Sequence, residues 1–200
     1  SELVDQVPRR VRKIKLPRTN PQAWTPDEVR QLVKTCQDTP EFTAGGTSKA
    51  AFWTSLVLTA WDSALRLGDL LAFEYAWIPP GGRLTIVQSK TGYAQNVQLR
   101  PITLEWIDKC MANNPSRRCI WPLTSRREEF YKSFNRLVRR AGIRKGTFRW
   151  LRRASVTAVD CLERGAGTDQ AGHRDRGITL RHYVDSEQVP MLRPLPPEVA

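Results

Sequence analysis

Apolar residues recur at helical spacing over most of the chain and switch to alternation in one short stretch. Trp53, Leu56, Val57, Ala60 and Ala64 form a stripe that predicts a helix over 48–65, and these positions read as core rather than site. Upstream, Thr25-Pro26-Asp27-Glu28 marks a helix start. Thr25 can cap, Pro26 suits the first turn and Glu28 completes a capping box, so a helix is expected over 26–38. Pro40, Gly45 and Gly46 place a loop at 39–47. Residues 65–71 read as a helix break followed by a short helix. The period then changes to two. Residues 83–88 and 95–99 predict strands, with Lys90-Thr91-Gly92 turning between them. Residues 73–77 add a shorter first strand, giving a small antiparallel sheet over 73–99. Helices follow near 103–113, 125–141, 147–164 and 177–185. Ser125 with Glu128 offers a second capping box and Gly142 a stop. The stretch 161–172, with Gly165 and Gly167, reads as a trimmed connection. Four prolines make 188–200 an irregular tail. The expected fold class is mostly α with one small antiparallel β-sheet, an α+β domain.

Two hundred residues leave room for one domain with a real core, and 40% hydrophobic with 26% charged residues is ordinary for a globular protein. The sign of the charge is not ordinary. Thirty-two Lys and Arg against 20 Asp and Glu give +12, a surplus that favours a polyanionic partner, nucleic acid foremost. An anionic membrane surface is the second candidate, but no basic amphipathic helix is dedicated to it. No apolar run approaches the roughly 18 residues that span a bilayer, and the start of the chain lacks a signal-peptide pattern. The expectation is a cytoplasmic, nucleoid-associated protein of bacterial, phage or mobile-element origin. Cys36, Cys110, Cys119 and Cys161 form no C-x-x-C pair, so they read as free thiols in a reducing compartment, and neither a metal site nor a cofactor is expected. Residues 1–23 carry Arg9, Arg10, Arg12, Lys13, Lys15 and Arg18 among prolines, as either a basic arm that tracks a phosphate backbone or a solvated linker.

Arg149, Arg152 and Arg153 sit at i, i+3 and i+4 of one expected helix and share a face, while Leu151, Ser155, Ala158, Val159 and Leu162 would pack inward. Three guanidinium groups repel unless an anion lies between them, and Arg suits bidentate phosphate contacts. A phosphate site is therefore set against the plainer reading of a solvated basic face. Gly172-His173-Arg174-Asp175 follows, with Tyr183 ten residues after His173. Singly, each of these is weak.

In order along the chain they resemble the tyrosine recombinase, or phage integrase, family. That family carries an Arg in a T-G-L-R-x-x-E-like segment, here Ser63-Ala64-Leu65-Arg66-Leu67-Gly68-Asp69. A hairpin Lys follows, here in Ser89-Lys90-Thr91-Gly92, and then an H-x-L-R-[HR] segment, here Arg149-Trp150-Leu151-Arg152-Arg153. A G-H pair comes next, here Gly172-His173, and last a nucleophilic Tyr, here Tyr183 in Thr179-Leu180-Arg181-His182-Tyr183. The resemblance spans about 24–187, which it marks as the catalytic domain. Residues 1–23 would be the linker to a core-binding domain.

The resemblance implies a site-specific recombinase acting on double-stranded DNA through a 3′-phosphotyrosine, without metal or ATP, and self-associating on DNA as a tetramer. Tyr183 would be the nucleophile. Arg66 and Arg152 would neutralise the transition state, Lys90 would protonate the leaving 5′-oxygen, and His173 would hydrogen-bond a phosphate oxygen. Asp69 would support the site through its neighbours, and Arg153 and Arg174 would hold DNA phosphates. The departure from the pattern is Arg149, which stands where the family has His. Arginine cannot act as a base at neutral pH, so it offers charge but no proton acceptor for Tyr183. His182 precedes Tyr183 directly, but adjacent helix residues point about 100° apart, which argues against a substitute base. Three other readings stay open on sequence alone: a DNA-binding relic that does not cleave, a type IB topoisomerase-like relaxing enzyme, and an unrelated basic binding module, against which the ordered set of motifs argues.

Overall fold

A computed structural model describes residues 20–41, 46–123 and 126–190. The basic arm of 1–19, Ser125 and the proline-rich end from 191 lie outside them. The elements in chain order are α1 (Pro26–Gln37), α2 (Lys49–Ser63), α3 (Leu67–Leu71), a 3-10 turn (Tyr75–Trp77), β1 (Arg83–Val87), β2 (Ala94–Gln98), α4 (Pro101–Met111), α5 (Arg127–Arg140), α6 (Phe148–Leu162), α7 (Ala166–Ala171) and α8 (Arg176–His182). None of the described helices is long and apolar enough to cross a membrane.

Local chemistry explains most of these boundaries. Thr25 accepts from the Glu28 amide while Glu28 accepts from the Thr25 amide, closing the capping box at α1. α2 is buried nearly all round, with Leu56, Val57 and Ala60 inaccessible, and forms the axis against which α1, α4 and α6 pack. Buried rings of Trp24, Trp53, Phe130, Phe134 and Phe148 fill the space between α1, α2, α5 and α6, with neighbouring centroids 5.0–6.1 Å apart. β1 and β2 form an antiparallel hairpin with Leu84 opposite Val97 and Ile86 opposite Gln95. Alternation turns Leu84, Ile86 and Gln88 inward from one side and Gln95, Val97 and Leu99 from the other. Asp62 at the end of α2 accepts from the Arg100 amide (3.0 Å), Arg100 Nε (2.6 Å) and Thr103 Oγ1 (2.5 Å), pinning the hairpin's exit to the central helix.

Four expectations change. Residues 73–77 are not a strand: only Glu74 bridges, to Cys119, before the chain turns through Tyr75–Trp77. The segment around Cys119 offers two flanking hydrogen bonds and no ladder beyond them. α5 begins at Arg127 with Arg126 at its N-cap and no side-chain cap bond. The stretch 161–172 is not a trimmed connection but contains α7. Its glycines mark close packing: a Cβ on Gly167 would stand 2.8 Å from the Val156 carbonyl of α6. Finally, the inward face of α6 is Leu151, Arg152, Ala154, Ser155, Val156, Thr157 and Asp160. Ala158 and Val159 are half-buried, and Leu162 is 89% exposed because α6 ends there, beyond the core.

Candidate active site

The left-handed turn after α2 positions the first arginine. Ala64 has φ of 47°, a conformation costly for a residue with a Cβ. That turn directs the Ala64 carbonyl at Arg152 Nη1 and sends the chain into α3 with Arg66 at its N-cap. Arg66, half-buried, donates from Nη1 to Gln88 Oε1. One turn of α3 later, the buried Asp69 carboxylate accepts from the Ser89 amide (3.1 Å) and hydroxyl (2.5 Å). Asp69 thereby ties α3 to the hairpin turn next to Lys90, which is exposed.

Arg152 is 4% exposed, so it does not share a solvent face with its neighbours. Its second Nη donates to the Ala171 carbonyl (2.8 Å), and its guanidinium carbon lies 5.0 Å from the centre of the Tyr183 ring. Burial, then the nearby Arg66 charge, lowers its pKa to about 10, which leaves it cationic at neutral pH. Arg149 is exposed. Arg153 is drawn aside: its Nε donates to the His182 carbonyl (3.0 Å) and its Nη1 to the Gln22 carbonyl (3.2 Å). It holds the end of α8 against the strap of residues 20–23, which leaves its phosphate role without structural support.

Tyr183 closes α8 and is 9% exposed. Burial pushes its phenol up, but the charges of Arg152, Arg66 and Arg149 outweigh that and hold it below the ordinary tyrosine value. Behind it, the His173 ring packs at 4.6 Å between centroids. His173 Nδ1 lies 2.8 Å from Thr179 Oγ1, and Nε2 lies 3.5 Å from an Arg152 Nη. Burial, Arg152 and Arg66 lower its pKa to about 4, so the ring is neutral at pH 7. A neutral ring facing a cationic donor presents Nε2 as acceptor and donates from Nδ1 to Thr179. His173 is thus placed behind the arginine and the tyrosine. Two residues beyond Tyr183, the buried Asp185 carboxylate accepts from Asn20 Nδ2 (3.0 Å), the Ala23 amide (3.1 Å) and Gln188 Nε2 (3.0 Å), locking the segment down.

Arg66, Lys90, Arg149, Arg152 and Tyr183 line a single cavity of about 360 Å³, together with Tyr131 and Thr147. His173, Arg153, Arg174 and Asp69 are not in its wall. Four cationic side chains around one phenol make a site suited to a phosphate group. Among the described residues, no group of three or more His, Cys, Asp and Glu is arranged to hold a metal ion. Sequence reasoning missed Gln88, Gln95, Thr179 and Asp185. For the two glutamines a signal was present: both fall on the inward phase of strands whose other inward residues are apolar.

The sequence matches the phage integrase family over residues 22–189. No curated protein matches the chain. Among solved structures, a lambda integrase (75–356) dimer bound to a COC′ core site superposes with a TM-score of 0.65 at 19% identity, over 95% of this chain and 67% of that one. The XerH site-specific recombinase bound to palindromic difH, a post-cleavage complex, gives 0.67 at 16%, over 85% of this chain and 52% of that one. The lambda integrase catalytic core gives 0.57 at 22%, over 77% of this chain and 93% of that one. These likenesses carry the fold: a tyrosine recombinase catalytic domain, spanning about half to two thirds of the longer recombinases.

Proposed function

The chain belongs to the phage integrase family, and from that membership we propose that it cleaves and rejoins DNA strands with Tyr183 as nucleophile. The observation that carries this is the shared cavity: one depressed phenol among Arg66, Lys90, Arg149 and Arg152. Tyr183 gives its proton to solvent and its oxygen attacks phosphorus. The new bond is a 3′-phosphotyrosyl ester, the bond to the 5′-oxygen breaks, and the Lys90 ammonium supplies the proton that oxygen needs. Arg66 and Arg152 face the non-bridging oxygens, where removing one such donor costs about a hundredfold in rate or more. Reversal on a second strand rejoins the DNA without ATP, because the ester conserves the bond energy, and without metal, because Arg66 and Arg152 supply the positive charge at the phosphate.

Arg149 takes a different part from the histidine that it replaces. It removes no proton, but its charge helps to hold the phenol down. His173 acts by orienting Arg152 and Tyr183, and Asp69 by holding the Lys90 turn. Double-stranded DNA is the partner, favoured by the +12 charge, and the molecule self-associates on it. Residues 24–187 are the catalytic domain, 1–23 a basic arm that adds phosphate contacts with Arg174, and 188–200 a tail.

The test is a nicked suicide substrate carrying the cognate site, resolved on denaturing gels without added magnesium. A protein–DNA adduct that disappears in Tyr183→Phe, with binding retained, is expected. Binding with no adduct, from the wild type and from Arg149→His alike, would overturn the cleavage assignment in favour of a DNA-binding protein.

A further inference from the structure

The hairpin interior contains a polar exception. Leu84, Ile86, Val97 and Leu99 face the core as alternation demands, but Gln88 and Gln95 occupy the same inward phase at 0% and 2% exposure. Burying two carboxamides is unfavourable unless each donor and acceptor is met.

Here they are met in one direction only. Gln95 Nε2 donates to the Ser63 carbonyl (2.5 Å) and the Gln170 carbonyl (2.7 Å). Backbone carbonyls accept and never donate, so the Gln95 oxygen must point the other way. It accepts from Gln88 Nε2 (2.6 Å), which also donates to the Ala171 carbonyl (3.0 Å). With both amide hydrogens committed, Gln88 must present Oε1 to Arg66 Nη1. Flipping either amide would set oxygen against oxygen. The backbone is shaped around the pair: Gly172 has φ of 60°, and a Cβ there would stand 2.3 Å from Gln88 Nε2. A guanidinium is planar, so fixing one Nη and its acceptor fixes where its remaining donors point. The Ala171 carbonyl that anchors Gln88 also anchors Arg152.

From this geometry we infer that Gln88 and Gln95 form a buried amide relay that sets the direction of the Arg66 fork and registers it against Arg152. They are positioning residues, and the inference rests on the cleavage reading above. The relay spans α2, the hairpin and α7, so it holds both arginines in one frame before DNA arrives.

The test uses the full chain with Gln88→Met, which keeps the side-chain length and removes both polar atoms. Gln95→Met removes one of the two acceptors that fix the Gln88 amide and leaves the Ala171 carbonyl to hold it alone, and serves should Gln88→Met not fold. Adduct formation is timed on nicked DNA with a normal scissile phosphate and with a methylphosphonate, which lacks the charge the arginines neutralise. Gln88→Met is expected to slow the phosphate reaction by about tenfold or more and the methylphosphonate reaction much less, with Gln95→Met following in the same direction. In protein without DNA, the Tyr183 ring followed by carbon NMR of labelled tyrosine is expected to titrate at higher pH once Arg66 drifts. Equal slowing on both substrates, or an unchanged Tyr183 titration, would overturn the relay. A wild type that forms no adduct on either substrate would overturn the cleavage reading instead, and the Tyr183 titration would still decide the relay.

Discussion

Acid should unlock the back of the site through His173. Its ring is enclosed by Arg152 at 3.5 Å, Thr179 at 2.8 Å and the Tyr183 ring, with Arg66 and His182 adding positive charge. The folded ring takes its proton only near pH 4, against 6.5 for an unhindered histidine. Between those values the unfolded chain binds more protons, so stability rises with pH through this window and falls as acid is added. At about 1.36 kcal/mol per pH unit, the window corresponds to about 3 kcal/mol, present in full above pH 6.5 and lost by pH 4. That is a large fraction of the stability of a small domain. Urea unfolding of the wild type and of His173→Gln at steps from pH 7.5 to 4 would isolate it, because other titrating groups cancel in the difference. The advantage of the wild type over His173→Gln is expected to shrink by about 3 kcal/mol across that range. Glu28 works in a separate window: it is held at about 2, partial burial being outweighed by its bonds to Arg144 and to backbone amides, so its contribution fades only between 4.5 and 2. Parallel loss of stability by both proteins between pH 6.5 and 4 would refute the enclosed, neutral histidine.

Asp69→Ala frees the hairpin turn and is expected to slow single-turnover cleavage by about tenfold or more, while Asp69→Asn, whose oxygen can still accept from Ser89, stays near wild type. Arg149→Ala removes one of the charges that depress Tyr183, so the alkaline rise of the cleavage rate is expected to move to higher pH, with a lower rate at neutral pH. Ala64→Gly relieves about 1 kcal/mol of left-handed strain but loses a buried methyl worth about 0.8 kcal/mol, so thermal unfolding should barely shift. Ala64→Val adds branching at the same φ, and is expected to lose about 2 kcal/mol or more and to weaken cleavage through Arg152.

The elements legible in the sequence are those whose causes lie within a few residues. The α1 capping box, the apolar stripe of α2 and the alternation of the hairpin each arise from neighbours along the chain, and each stands where the pattern put it. The arginines, the hairpin lysine, the histidine and the tyrosine were legible for another reason: their order along the chain resembles a family. Short-range signals misled where a local cue had a distant cause. Gly165 and Gly167 suggested a trimmed connection, whereas Gly167 is small because α6 presses on it. Residues 73–77 suggested a strand, but a strand needs a partner segment, and among the described residues they find one bridge, from Glu74 to Cys119.

The side-chain assignments belong to packing. Helical spacing put Arg149, Arg152 and Arg153 on one face and could say nothing of what lies against that face. α7 and α8 cover part of it, so Arg152 is buried against carbonyls 88 and 19 positions away, Arg153 is spent on the strap, and Arg149 alone stays in solvent. The glutamine relay joins residues up to 83 positions apart in the same way. Periodicity and capping are set by bonds within one or two turns, and so are written along the chain. Which donor meets which acceptor across the core depends on distances that exist only once the helices have closed around the hairpin.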